Sequence, residues 1–274
     1  MAPQSQKTRK VSKGADYVVA IPSYKRAETL KDKTLHTLQQ YKINPKKIDI
    51  FVANKEEEDI YKQTLEKGTY NKIIVGIPKL GPQRNFMSDY YPVGKPIVHM
   101  DDDISAFIQY DTKAKRNEKP LENLDSVIRR GFAECKTHGL RLWGIYPTPN
   151  GYFMDDKVDT DLRYIIGCFY GIINPGTKGP KGIKLELEGD KEDYERSIRF
   201  YIADGGVIRM RFVAPKTAYY TEKGGLQEFR TKKTILDGAQ WIVKHFPDYA
   251  TLNLTKKSGH PELRLRDKTK KKAD

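Results

Sequence analysis

The chain has 274 residues, 38% of them hydrophobic and 31% charged, with a formal net charge of +14 at pH 7. That length supports one sizeable core and excludes two full domains. No apolar run approaches the ~18 residues of a membrane span, and the opening MAPQSQKTRK lacks an apolar h-region, so the sequence reads as a soluble, intracellular protein. Residues 1–13 carry four basic side chains and no acid, and residues 264–274 carry six against two acids. The expected layout is a basic arm over 1–16, one domain over 17–262 and a basic tail over 263–274. Such arms suit a nucleic-acid backbone, an acidic surface or an anionic membrane, and equally plain solvation. Cys135 and Cys168 lie among apolar neighbours and read as buried free thiols.

In chain order, DYVVAIPSYKR predicts a buried strand over Val18–Ile21, closed by Pro22 and Ser23. AETLKDKTLHTLQQY places Leu30, Leu35, Leu38 and Tyr41 on one helical face, ended by Asn44-Pro45. KIDIFVAN is a second strand, EEEDIYKQTLEKG a helix stopped by Gly68, and NKIIVGIP a third strand. GPQRNFMSDYY turns into a helix, and KPIVHMDDD is a fourth strand. Four strand–helix alternations predict an α/β fold with a mostly parallel sheet, whose ligands sit at the C-terminal strand ends. Ser23, Tyr24, Arg26, Asn54 and the aspartates all fall at those ends.

Beyond residue 110 the pattern changes. Residues 110–123 are charged and read as an exposed loop. LDSVIRRGFAECKTHG is a helix ending at Gly139. LRLWGIYPTPNGYF and LRYIIGCFYGIINPG read as strands of a mixed part of the sheet. IKLELEGDKEDYERSIRFYIADGG passes from strand to helix, with Asp190, Glu192 and Asp193 at the junction. VIRMRFVAPKTAYYT is read as one further strand and TILDGAQWIVKHF as a last helix, followed by the polar TKKSGH.

Asp101, Asp102 and Asp103 follow directly on a buried strand. Three adjacent carboxylates repel one another, so a bound cation or a strongly basic neighbour is expected beside them. Oxygen ligands favour Mg²⁺ or Mn²⁺, which commonly complete their shell with substrate phosphates. The sequence contains no Walker A loop, no GxGxxG after the first strand, no HExxH, no GxSxG and no zinc-like cluster. What remains is a nucleotide-diphosphate site without a glycine-rich cradle.

Together VVAIPSYKR, GPQRN, HMDDD, GDKEDYERS and the late SGH resemble GT-A-type glycosyltransferases. Among these they are most similar to the viral TET/JBP-associated family, credited with glycosylating hydroxymethylated pyrimidines in DNA. The resemblance covers about residues 17–262 and implies a GT-A-like single α/β/α sandwich with a mixed central sheet. It implies a UDP-sugar donor with Pro22, Ser23, Tyr24 and Arg26 near the uridine, and Asn54 and Arg84 by the nucleotide. Asp101 would contact the ribose or sugar with Asp102 beside it. Asp103 and His260 would hold Mn²⁺ or Mg²⁺. The base that deprotonates the acceptor would be Asp193, then Glu192, with Asp190 third; a direct base implies inversion at the anomeric carbon, with retention, which other members of this fold use, as the open alternative. His99 shares a strand face with Asp101 and is placed to tune it. Trp143, Tyr146 or Tyr152 would stack on a flipped acceptor base, and the TKAKR and RTKK stretches would contact DNA phosphates. A protein or glycan acceptor is the alternative, as is a non-enzymatic nucleic-acid-binding module.

Overall fold

The computed structural model describes residues 16–217, 224–254 and 261–270. The four expected strands form where apolar and β-branched residues run together: β1 (Val18–Pro22), β2 (Ile48–Val52), β3 (Lys72–Val75) and β4 (Pro96–Met100). The first crossover runs through α1 (Ala27–Thr29), a π-helical stretch at Leu30–Leu35 and α2 (His36–Gln40). The next two are α3 (Lys55–Thr64) and α4 (Leu80–Tyr90). β1 pairs in parallel with β2 on one side and with β4 on the other. The order β3-β2-β1-β4 therefore reverses direction between β1 and β4, which opens a crevice above their carboxyl ends.

The second half builds outward from β4. It comprises β5 (Ile104–Tyr110), β6 (Glu118–Pro120), α5 (Leu124–His138), β7 (Leu142–Ile145), β8 (Val158–Asp159), β9 (Phe169–Ile173) and α6 (Glu192–Asp204). β10 (Ile208–Met210), β11 (Val213–Thr217), α7 (Lys232–His245), β12 (Ala250–Asn253) and β13 (Glu262–Leu265) complete it. The main sheet runs β3-β2-β1-β4-β9-β7-β10-β8, with β4–β9 and β9–β7 antiparallel and β7–β10 parallel. β11, β5 and β6 form a separate antiparallel sheet, and β12 pairs with β13. The result is an α/β fold with a central mixed sheet and helices on both faces.

Strand alternation explains why both faces need cover. Val19, Ile21, Val98 and Met100 point into one apolar cluster, while Ala20, Phe51 and Ile97 point into the other. Cys135 and Cys168 are buried free thiols, as expected. No helix among the described residues is long and apolar enough to cross a membrane.

Four readings differ from the sequence. Residues 207–217 form two strands, because Arg211 and Phe212 turn the chain from the main sheet into the small one. IKLELEG is not a strand. Its amides find side chains instead: Leu185 N–H donates to Asn85 Oδ1 (2.9 Å), and Glu186 and Leu187 N–H donate to the buried Glu195 carboxylate (2.8 Å each). The stretch read as a loop from 110 contains β6, which pairs with β5. The basic stretch expected as a tail from 263 opens inside β13.

Candidate active site

The aspartates occupy the turn between β4 and β5, at the mouth of the crevice. Two threonines of the first crossover hold this turn. Thr34 Oγ1 donates to the Asp101 carbonyl (2.7 Å) and accepts from Ile104 N–H (3.0 Å), and Thr37 donates to the Ile104 carbonyl (3.1 Å). Thr34 lies in the π-helical stretch, an irregularity often found where a helix serves a site. Asp101 N–H also donates to Cys168 O (2.8 Å), pinning the turn to the segment entering β9.

Each aspartate has its own counterpart. Arg84 Nη2 donates to Asp101 Oδ1 at 2.8 Å and to Gly167 O at 3.1 Å. Arg26 Nη1 lies 3.0 Å from Asp102 Oδ1 and 3.5 Å from Asp103 Oδ2. Ser23 Oγ donates to Asp102 Oδ2 (2.6 Å), and Thr217 Oγ1 donates to Asp103 Oδ1 (2.7 Å). Behind them, Tyr61 OH donates to Ser23 (2.6 Å) and accepts from Arg26 N–H (3.1 Å). The cations do not cancel the cost of crowding and burial. Desolvation, with repulsion from the neighbouring carboxylates, pushes Asp101 up to about 7 and Asp102 up to about 6.

A cavity of about 610 Å³ lies over this turn. It is lined by Pro22, Ser23, Tyr24, Arg26 and all three aspartates on one side, and by Asp190, Lys191, Glu192 and Asp193 on the other. Two sequence segments 90 residues apart thus meet across one space. Tyr24 does not pack under the sheet; it stacks on the exposed Phe229 with centroids 6.2 Å apart.

The acids at the start of α6 are partnered unequally. Asp190 accepts from Arg230 Nε (2.6 Å) and Thr234 Oγ1 (2.9 Å). Glu192 is buried in an ion pair with Arg196 (2.7 Å), and desolvation raises its pKa. Asp193 accepts from Tyr164 OH (2.5 Å) and from Tyr194 N–H (3.0 Å), and has no ion pair with any described residue. Burial and the neighbouring Asp193 charge hold the Tyr164 phenol well above its ordinary pKa, so it stays protonated and keeps donating.

Several expected positions lie elsewhere. Asn54 is not in the cavity lining; its side chain caps α3 by accepting from Glu57 N–H (2.9 Å). Arg84 is 2% exposed and does not line the cavity, so it braces Asp101 from beneath and is not placed to grip a diphosphate. Its neighbour Gln83 lines the cavity instead, one residue being about 100° around a helix. His99 stacks on Tyr170 and faces Arg84 Nη1 at 3.2 Å through Nδ1. Burial keeps it neutral, and it reaches Asp101 only through Arg84. Trp143 is sealed in the core, where a Cβ on Gly171 would lie 2.2 Å from its Nε1. Neither it, Tyr146 nor Tyr152 lines the cavity. His260 and the N-terminal arm up to residue 15 lie outside the described residues.

Among the described residues no group of three or more side chains is placed to hold a metal ion. The donor set still fits a hard cation that takes most of its shell from a substrate. Asp101 and Asp103 line the cavity, and burial, with the neighbouring carboxylates, disfavours the charged form of Asp101, a cost that a bound cation would offset. Sequence reading missed Tyr164, Lys191, Thr217, Phe229 and Arg230 as cavity residues. Thr217 carried no strand-end signal, because the sequence read the strand as running on to Thr221.

No protein-family model and no curated protein sequence matches the chain. Among solved structures it is similar to S. aureus TarS at 12% identity. For residues 1–349 of TarS the TM-score is 0.43, covering 73% of this chain and 60% of that one. For the same stretch in complex with UDP it is 0.47, covering 85% and 72%. For a further TarS structure it is 0.48, covering 83% of this chain but only 40% of TarS. A 4-diphosphocytidyl-2C-methyl-D-erythritol synthase from Anaerococcus prevotii is similar at 10% identity and TM-score 0.44, covering 85% of this chain and 99% of that one. With every TM-score below 0.5, these likenesses decide neither family nor activity.

Proposed function

We propose that the chain is a glycosyltransferase that moves a sugar from a nucleoside diphosphate, a UDP-sugar, to the hydroxyl of a hydroxymethylated pyrimidine in DNA. One observation carries this reading. The aspartate turn at the β1–β4 reversal and the acidic start of α6 face each other across a single cavity, and Asp193 is the acid of that second group without an ion pair to a described residue. The aspartate side suits the donor, with Tyr24 and Phe229 offering rings to the base. Asp103, with Asp101 beside it, would hold Mn²⁺ or Mg²⁺, which when bound neutralises charge on the departing diphosphate. Lys191 lines the same space and adds positive charge, while Arg230 there is paired with Asp190.

On the other side Asp193 takes the proton of the acceptor hydroxyl. Tyr164 fixes its orientation by donating to Oδ2, which leaves Oδ1 toward the helix amide of Tyr194. Glu192 is tied to Arg196 and serves better as support than as base. A base acting directly on the acceptor gives single displacement with inversion.

Transfer of radiolabelled sugar from a panel of nucleotide-sugars with Mn²⁺ tests the reading. The acceptors are hydroxymethyl-pyrimidine DNA, unmodified DNA, and glycan or protein mixtures. Label entering only the hydroxymethylated DNA supports the proposal. Label entering only glycan or protein keeps the transferase and overturns the acceptor. No donor turnover under any condition overturns both.

A further inference from the structure

At the end of β5 far from the aspartates, two loops are built against each other. The loop 111–117 is closed by its own hydrogen bonds: Lys113 N–H donates to Asp111 Oδ1 (2.9 Å), Ala114 N–H to Asp111 O (3.1 Å) and Asp111 N–H to Asn117 O (3.0 Å). Arg116 and Asn117 take left-handed backbone angles (φ 63° and 56°), a strain that surrounding contacts must hold in place. The second loop supplies them. Gly151 N–H donates to Glu118 Oε2 (2.9 Å), and the backbones approach so closely that a Cβ on Gly151 would lie 2.3 Å from the Arg116 carbonyl. Asn150 accepts from Tyr152 N–H (3.1 Å), and Met154 is buried with Ile108 and Ala214 in a small apolar cluster beneath. This construction leaves Tyr152 and Phe153 67% and 61% exposed. Lys115 and Arg116 are exposed on the adjoining loop and form no ion pair with a described residue.

We infer that this corner is a docking surface for an unpaired DNA strand, an inference that rests on the DNA-acceptor reading above. Two adjacent rings held in water by a hydrogen-bonded turn stack on bases of any sequence, and two cations outside any ion pair with a described residue neutralise phosphates. The charge of the partner follows from the same side chains, on a chain that carries +14. The seven residues of β5 join the aspartate turn to this corner. Six steps of about 3.3 Å place it about 20 Å from the cavity, or about six nucleotides at the stacked spacing of about 3.4 Å. The strand that delivers the target base to the cavity therefore rests its flank on Tyr152, Phe153, Lys115 and Arg116.

The test is fluorescence anisotropy of the full chain with a labelled single-stranded oligonucleotide carrying 5-hydroxymethyluracil, over a range of salt. The variant Tyr152→Ala/Phe153→Ala should bind about tenfold more weakly with the salt slope unchanged. Lys115→Ala/Arg116→Ala should flatten the slope by about 1.4, at about 0.7 per phosphate released. Unfolding midpoints close to wild type, expected for exposed positions, show that both variants are folded. Unchanged affinity and slope in both variants overturn the inference, as does tighter wild-type binding to a duplex of the same sequence. Sugar transfer to the same oligonucleotide separates the two readings. Binding that the variants weaken, without transfer, keeps the surface and removes the acceptor; transfer with binding the variants leave unchanged does the reverse.

Discussion

The cavity has an acidic group on each side, and they are built on opposite plans. Asp101, Asp102 and Asp103 share one tight turn, so repulsion is inherent, and each is held by a cation or hydroxyl from a different part of the chain: Arg84, Arg26, Ser23 and Thr217. Asp190, Glu192 and Asp193 are spread over the entry to a helix, where the dipole already favours acids. Two of them are neutralised by arginines, and the third, Asp193, has only neutral donors among the described residues. On the reading proposed above, the first arrangement gathers carboxylates for a cation and its phosphates, and the second leaves one carboxylate outside any ion pair with a described residue to take a proton.

The largest effect that would break this contrast is kinetic. Asp193→Asn should lower the transfer rate by about 10²–10⁴, with donor KM unchanged, whereas Glu192→Gln should cost less in rate and more in stability because it strands Arg196. Equal rate losses in the two variants would show that the ion-paired acid does the chemistry. The next effect is on stability. Arg84→Ala removes the buried cation from a part-buried pair and should cost about 1–3 kcal/mol by denaturant unfolding. A loss below about 1 kcal/mol would mean that Asp101 does not depend on it.

A smaller, pH-dependent effect separates the two groups further. Asp101 and Asp102 have folded-state values raised to about 7 and about 6. The folded protein holds these protons where the unfolded chain releases them. Their contribution to stability is therefore full below about pH 4 and is lost as pH rises through about 6 to 7. In metal-free protein, Asp101→Asn should become more stable relative to wild type between pH 5 and pH 8. A flat difference across that range would contradict the crowding account.

The aspartate side of the cavity was legible because its signals are local. Ile97 and Val98 mark a central strand, and strand ends in a parallel sheet mark the site. The order of the strands places β1 beside β4, and this brings Ser23 within 2.6 Å of Asp102. The failures are of geometry that spacing does not encode. Arg84 and Gln83 exchange places because one residue turns a helix by about 100°. Asn54 was read as a strand-end ligand although the acids after it, Glu56–Glu58, are what a helix cap precedes. IKLELEG alternates like a strand, yet Asn85 and Glu195 satisfy its amides from helices distant in sequence. Tyr164 could be found only by knowing that the chain before β9 passes the start of α6.

Calorimetric titration of UDP in the presence of Mn²⁺ into wild type, Asp103→Ala and Asp193→Ala tests the division between the two sides most directly. Wild type and Asp193→Ala should bind with the same affinity, and Asp103→Ala should bind at least tenfold more weakly. Equal binding by all three, or loss of binding in Asp193→Ala, would contradict a donor site on the aspartate turn and a separate base on α6.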